Sequence, residues 1–358
     1  MEHSSRVDVG FVDEADHPWK LDSKFFPSKV GGRPSWLQFT ELPTPKDMEC
    51  VKCHEACIFL CQVYAPLETR SDCFHRTVFV FMCRNPSCHA LNDNAPFIVY
   101  RSQLKRENDF YPFDPPEESE EWHPECRADK WTALCAACGN AGTSHCGRCR
   151  TVKYCCRSHQ VCHWKDVHKL MCNSGQESDC IGKSSCLLPE YELIVEPEEG
   201  PKRTECKKDD SEGEDESDDE NAEEERVREF QKLSSEGKTG TLAVPHLYIY
   251  EIFIYILRST SSFLGMTQRT QESKGVNCSI PSVVDDESVN ADLINMAACA
   301  EDKAFNAFKA RVAQNPGQVL RYQRGGKPLW LSEHHIPMED SIPPCFHCGA
   351  KRIFEFQV

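Results

Sequence analysis

CAACGNAGTSHCGRCRTVKYCCRSHQVCHWKDVHKLMC, residues 135–172, decides how the rest of the chain is read. Its cysteines and histidines fall as C-x2-C, seven residues, C-x2-C, five residues, C-x3-H, eight residues, H-x3-C. A C-x2-C pair is a tight knuckle that aims two thiolates at one metal, while C-x3-H and H-x3-C set ligands one helical turn apart on a single face. Eight ligands make two zinc sites. Four protein ligands per site leave no position for water or substrate, so the block predicts structural zinc rather than catalysis by metal.

The chain around this block has 358 residues, room for two or three domains and at least one real hydrophobic core, and it carries 23 cysteines. It begins MEHSSRVDVG, without the charged and then apolar start that directs secretion. Reducing conditions are expected, under which closely spaced cysteines are metal ligands rather than disulfides. The formal net charge of -16 argues against a general nucleic-acid binder, which needs Lys and Arg to displace phosphate counterions, and favours a basic protein partner. The most apolar stretch, Leu247 to Leu257, covers 11 residues and contains Glu251, whereas a membrane-spanning helix needs about 20; no membrane span is expected. No Gly-rich phosphate loop, H-E-x-x-H helix or G-x-S-x-G turn occurs, and the chain is not expected to be an enzyme.

An internal repeat flanks the block. GGRPSWL (Gly31 to Leu37) near the start returns as GGKPLWL (Gly325 to Leu331) near the end. Cys50 and Cys53 begin fourteen residues after Trp36, and Cys345 and Cys348 begin fifteen after Trp330. Five residues beyond each pair come IFLCQV (Ile58 to Val63) and IFEFQV (Ile353 to Val358), identical at four of six positions. Each copy thus has a Gly-Gly-x-Pro turn presenting a Trp to a core, a two-cysteine knuckle, and a β-strand leaving it. In the first copy Cys83 and Cys88 follow the strand FHRTVFVFM, so Cys50, Cys53, Cys83 and Cys88 could close a four-thiolate site of zinc-ribbon type. The second copy stops at Val358 before a matching pair, so Cys345 and Cys348 read as a half-site of a truncated form, with Ile353 to Val358 as an unpaired edge.

The fold expected is α+β and β-rich: a duplicated β domain interrupted by the inserted zinc finger and an acidic disordered linker. Its parts are a first repeat copy over 1–130, the finger over 131–175, a linker and strand over 176–196 in which the alternation of LLPEYELIVE (Leu187 to Glu196) predicts a strand returning to the first sheet, an acidic linker over 197–300, and the second copy over 301–358. Asp209 to Glu225 holds twelve acids in seventeen residues and no base, too little apolar surface to offset the entropy of ordering. Within it Ser211 and Ser217 each precede an acid by three positions, a pattern that suits an acid-directed kinase, although a solvated charge run is the favoured reading.

The central block resembles the MYND finger family, down to Tyr154-Cys155, Gln160, Trp164 and His168-Lys169. In that family the two sites interleave. The resemblance therefore implies that Cys135, Cys138, Cys155 and His159 hold one zinc, and Cys146, Cys149, His168 and Cys172 the other. Cys156, Cys162 and His163 would be ligands only under a shifted register, and His145 reads as an exposed loop histidine. Cys57, Cys61, Cys73, Cys126, Cys180, Cys186, Cys206, Cys278 and Cys299 lack paired spacing and read as small buried or unligated thiols.

Beyond the finger, FPSKVGGRPSWL, QVYAPL (Gln62 to Leu67), FHR (Phe74 to Arg76), NDFY (Asn108 to Tyr111) and QVLRYQRGGKPLW with CGAKRIFEFQV resemble the programmed cell death protein 2 family. That resemblance implies a protein of cytoplasm and nucleus, related to a yeast factor for small-subunit ribosome production, that captures a newly made basic ribosomal protein as its client. An acidic carrier would shield such a client until it meets RNA. The alternative is a transcriptional or apoptosis-linked regulator whose MYND finger binds proline-containing peptides of nuclear regulators. DNA binding ranks lower, resting on six bases (Arg148, Arg150, Lys153, Arg157, Lys165, Lys169) against the one acid Asp166 within the finger.

Overall fold

The computed structural model describes residues 6–90, 93–117, 126–198, 303–333, 336–338, 342–345 and 349–358. All belong to one unit built from 1–198 and 258–358. The strands are β1 (Asp8–Asp13), β2 (Lys29–Val30), β3 (Ile58–Tyr64), β4 (His75–Met82), β5 (Phe97–Leu104), β6 (Ser144–His145), β7 (Lys153–Tyr154), β8 (Tyr191–Pro197), β9 (Leu320–Tyr322) and β10 (Phe356–Gln357). The helices are short: α1 (Ala128–Trp131), α2 (Arg157–His163), α3 (Lys169–Met171) and α4 (Lys303–Val312). From residue 199 the acidic linker, Ser211, Ser217 and the apolar stretch Leu247 to Leu257 lie outside the described residues. No helix among the described residues is long and apolar enough to cross a membrane.

The β-branched and aromatic run HRTVFVFM becomes β4, buried along its whole length, as a strand covered on both faces must be. It pairs with β3 on one side and β5 on the other. A register shift between Phe59 and Cys61 in β3 turns neighbouring side chains inward, the geometry of a β-bulge. Over this hairpin Trp36, Phe39, Phe59, Phe79 and Phe81 build the core, with Trp36 and Phe79 ring centroids 4.9 Å apart.

The main sheet runs β10-β9-β1-β8-β2-β3-β4-β5, all neighbours antiparallel. The expected strand over Leu187 to Glu196 begins later, at Tyr191, because Pro189 withholds an N–H, and it lies between β1 and β2. The order is symmetric about the β1/β8 pair: β2 and β3 of the first copy flank β8, and β9 and β10 of the second flank β1. The copies also share one side-chain latch. Gln62 accepts from Ser35 N at 2.9 Å and donates to Ser35 O at 3.3 Å. Gln357 does the same to Leu329, at 2.6 and 3.2 Å. Ser35 and Leu329 are each the fifth residue of the Gly-Gly motif, so the duplication read from sequence is present in three dimensions. The first glycine of the motif is obligatory in copy one, where Gly31 has φ +69° and a Cβ would stand 1.7 Å from the Pro189 carbonyl oxygen.

Candidate metal centres

Four knuckles share one backbone geometry. The N–H of His54, Gly139, Arg150 and Gly349 donates back to the carbonyl of Cys50, Cys135, Cys146 and Cys345 respectively, at 2.8, 2.9, 2.9 and 2.8 Å. These four donors all occupy the left-handed region, with φ of 60°, 79°, 59° and 68°. The turn closes a loop in which sulfur and backbone N–H face one point. At the first knuckle burial works against ionisation, yet the N–H groups of Cys53 and Lys52 and the sulfurs around it hold the Cys50 thiol down at about 7.

Among the described residues three four-donor sets result, in each of which the ligand atoms lie within 4.8 Å of one another: Cys50, Cys53, Cys83 and Cys88; Cys135, Cys138, Cys155 and His159; Cys146, Cys149, His168 and Cys172. A tetrahedron with Zn–S of about 2.3 Å has sulfur–sulfur edges of about 3.8 Å, whereas a disulfide would bring two sulfurs to about 2.05 Å. Sγ separations of 3.5 Å for Cys53 and Cys83, 3.6 Å for Cys138 and Cys155, and 3.9 Å for Cys146 and Cys172 match the tetrahedral edge. The imidazole nitrogens stand 3.2 Å (His159 Nδ1 to Cys155) and 3.5 Å (His168 Nε2 to Cys149) from sulfur. Hydrogen bonds from Cys138 and Cys155 hold the Cys135 thiol well down, and those with Cys135, Cys138 and Cys156 push the Cys155 thiol well up. A closed set of soft donors at these distances fits Zn(2+).

Of the two Cys/His pairs, one departs from one-turn helical spacing. Cys155 and His159 do not share a helix face, because Cys155 precedes α2 and is separated from it by Cys156 in extended backbone. Cys156 is the N-cap, its sulfur accepting the His159 N–H at 3.5 Å. His168 and Cys172 do keep one-turn spacing, with Cys172 N donating to His168 O at 2.8 Å.

Residues outside the ligand sets orient them, and most were not legible in the sequence. The second ring nitrogen of His168, Nδ1, lies 3.6 Å from Cys180 Sγ, so Cys180 is more than the unligated thiol its spacing suggested. His163 stacks on His168 at 5.6 Å, donates or accepts at Tyr154 Oη (2.9 Å) through Nδ1, and bonds the Cys180 carbonyl (2.8 Å) through Nε2. His163, His168 and Cys180 are all fully buried. From the first repeat, Arg33 donates to Cys135 O at 3.3 Å; burial lowers its pKa, and the Cys138 and Cys135 sulfurs oppose that loss of charge. Trp36 Nε1 donates to Gly139 O at 2.8 Å, and Asn140 Nδ2 to Cys57 O at 3.4 Å. The finger is therefore docked on the repeat through its first knuckle. Among the remaining cysteines, burial pushes the Cys57 and Cys61 thiols up to about 12, and Cys73, Cys126 and Cys186 are also buried. His145 is exposed on β6. Cys345 forms its knuckle backbone, while Cys348, Cys206, Cys278 and Cys299 lie outside the described residues.

Comparison with known proteins agrees with this organisation. The family described as programmed cell death protein 2, N-terminal domain, matches residues 6–118, its C-terminal putative domain matches 302–358, and the MYND finger matches 135–172. Programmed cell death protein 2 of Mus musculus is 35% identical over 356 residues, spanning 98% of this chain and 83% of the mouse protein. The Bos taurus protein of the same name is 34% identical over 363 residues, spanning 100% of this chain and 84% of its own length. A programmed cell death protein 2-like protein of Gallus gallus is 24% identical over 345 residues. No solved structure matches.

Proposed function

This chain belongs to the programmed cell death protein 2 family, and from that membership we propose that it is a zinc-stabilised adaptor that captures a newly made, basic protein of the small ribosomal subunit. The observation that carries the reading is the pairing of closed metal sets with an acidic chain. Each set fills all four positions with protein ligands, so the metal organises surface and does no chemistry. The net charge of -16 complements a client made to bind RNA and lowers the chance of its premature contact with nucleic acid. The client's own path takes such an adaptor through cytoplasm and nucleus.

A pull-down from cell extract in moderate salt tests the proposal: one small-subunit ribosomal protein should dominate. A spread of chromatin proteins with no ribosomal protein would sink it. A second reading has one observation in its favour, since Arg148, Arg150, Arg157, Lys165 and Lys169 of the finger are exposed. If that face binds DNA, replacing Arg148 and Arg150 weakens binding and flattens its salt dependence; unchanged binding refutes it.

A further inference from the structure

After Cys172 the chain doubles back, and Cys180 to Leu187 crosses the finger as a strap with neither helix nor strand from Ile181 onward. Its first half meets both zinc sets of the finger. Cys180 Sγ stands 3.6 Å from His168 Nδ1, and Gly182 N donates to Ala136 O, inside the first knuckle, at 2.8 Å. Its second half hangs on one carboxylate, the single acid of the finger. Asp166 accepts from Ser185 N at 2.7 Å, from Ser184 Oγ at 3.1 Å and from Ser185 Oγ at 3.2 Å.

Ser185 is exposed, and opposite charges flank it. On one side is Asp166. On the other is Arg84 of the first repeat copy, which donates through Nη1 to the Ser185 carbonyl at 3.0 Å. Arg84 is exposed and forms no ion pair with a described residue, and Lys183 stands exposed two residues before Ser185. Ser184 is the less accessible hydroxyl, half-buried and 3.3 Å from Cys186 Sγ. The Ser185 hydroxyl makes the longest of the three bonds to Asp166, so its mere loss frees little. A phosphoryl group there acts differently: it sets about -1.5 to -2 charges beside a carboxylate and offers three acceptor oxygens to a guanidinium.

We propose that Ser185 is a phosphorylation site, and that its modification moves the strap from Asp166 of the finger to Arg84 of the repeat. A protein kinase supplies the base and ATP the phosphoryl group. The Ser185 hydroxyl proton passes to that base, a bond forms between Oγ and the γ-phosphorus, and the bond from the γ-phosphorus to the ADP oxygen breaks. Irregular backbone on both sides of Ser185 lets the segment enter a kinase without unfolding a strand or helix. Like-charge repulsion then breaks the strap's bonds to Asp166, and the phosphate pairs with Arg84. Cys180, five residues earlier, is no longer pressed against His168, so the Cys146, Cys149, His168 and Cys172 set holds its zinc less firmly.

The test uses the full-length, zinc-loaded chain carrying phosphoserine installed at position 185 by a suppressor tRNA. Phosphorylation should speed zinc release from that set into a chromogenic chelator at least about threefold, whereas Ser185→Ala should keep the unmodified rate. In Asp166→Asn, whose amide does not repel the phosphate, phosphorylation should leave the rate of that variant nearly unchanged. Arg84→Met reads the other end of the switch and leaves the finger intact: trypsin should cut after Lys183 faster in the phosphorylated variant than in the phosphorylated chain that keeps Arg84. Incubating the unmodified chain with ATP and a eukaryotic cell extract should place phosphate on Ser185, read by mass spectrometry. Zinc release unchanged by phosphoserine, an equal acceleration in Asp166→Asn, cleavage indifferent to Arg84, or no phosphate on Ser185 after the extract would each overturn the switch.

Discussion

Arg76 on β4 and Glu355 just before β10 stand six strands apart in the sheet, yet both guanidinium ends reach both carboxylate oxygens, Nη2 to Oε2 at 2.5 Å. The sheet is therefore curled until the second repeat copy meets the first. Arg76 is 2% exposed and Glu355 18%. Tyr322 Oη on β9 donates to the same carboxylate at 3.0 Å, and Arg76 also donates to Ala65 O at 3.2 Å. Glu355 occupies the place of Leu60 when IFEFQV is laid on IFLCQV, so the charge that joins the copies is a departure from the repeat.

Removing one partner strands the other. Glu355→Leu should destabilise the folded unit by about 3 kcal/mol, because a buried guanidinium is left uncompensated. The double change Arg76→Met with Glu355→Leu should recover most of that loss. Denaturant unfolding of the four proteins in the cycle measures it, and additive single effects with no recovery would show that the pair does not act as a unit.

Zinc content is the second prediction. The three four-donor sets among the described residues predict three zinc ions per chain by elemental analysis after gel filtration. Cys138→Ser and Cys172→Ser should each remove about one. A value of two in the unaltered chain, unchanged by Cys53→Ser, would mean that the four-cysteine set holds no metal. Chelation should unfold the finger rather than merely empty it, since ligand binding and folding are one event in small zinc modules.

Spacing alone carried the knuckles, because a C-x2-C turn is a local structure whose ligands are fixed by four consecutive residues. The repeat was legible for the same reason: Gly31, Trp36 and Gln62 each do a backbone or packing job that leaves a residue-specific trace. What sequence did not reveal is long-range. Cys180 approaches His168 only because the chain turns back after Cys172, and nothing in its neighbours marks it. Arg33 is only the unspecified position of the Gly-Gly-x-Pro turn in the sequence, and its role comes from the finger packed against it. The alternation over Leu187 to Glu196 runs through Pro189, whose missing N–H delays the start of β8 to Tyr191.

The third prediction concerns Cys180. A hydrogen bond to the outer nitrogen of a ligating imidazole fixes its ring orientation, and losing such a partner typically costs about 10- to 100-fold in metal affinity. Cys180→Ala should speed zinc release from the Cys146, Cys149, His168 and Cys172 set into a chromogenic chelator. Release from the other two sets should keep its rate. Cys180→Ser should restore part of the retention, as a hydroxyl can still accept from Nδ1. Cys61→Ala, which also empties a buried thiol site but touches no ligand, should cost stability without changing any release rate.

Asp22 makes the last prediction, and its sign is opposite to that of a paired acid. Its carboxyl stands at about 6 against an ordinary 3.8, chiefly through burial, with Arg127 and Lys29 pulling it down and Glu190 and Asp129 pushing it up. The folded chain therefore holds this proton more tightly than the unfolded one. Stability from this group is lost as pH rises through the interval between those two values, and the loss is complete above about 6. Two pH units correspond to about 3 kcal/mol as an upper limit, and solvent access to this partly buried group reduces this to on the order of 1 kcal/mol. Asp22→Asn removes the penalty, so its stability advantage over the unaltered chain should grow between pH 5 and pH 7.5. Because the zinc thiolates titrate alike in both proteins, their contribution cancels in that difference. A variant that loses stability relative to the unaltered chain as pH rises would show that Asp22 is held as a carboxylate by a favourable pair within the chain.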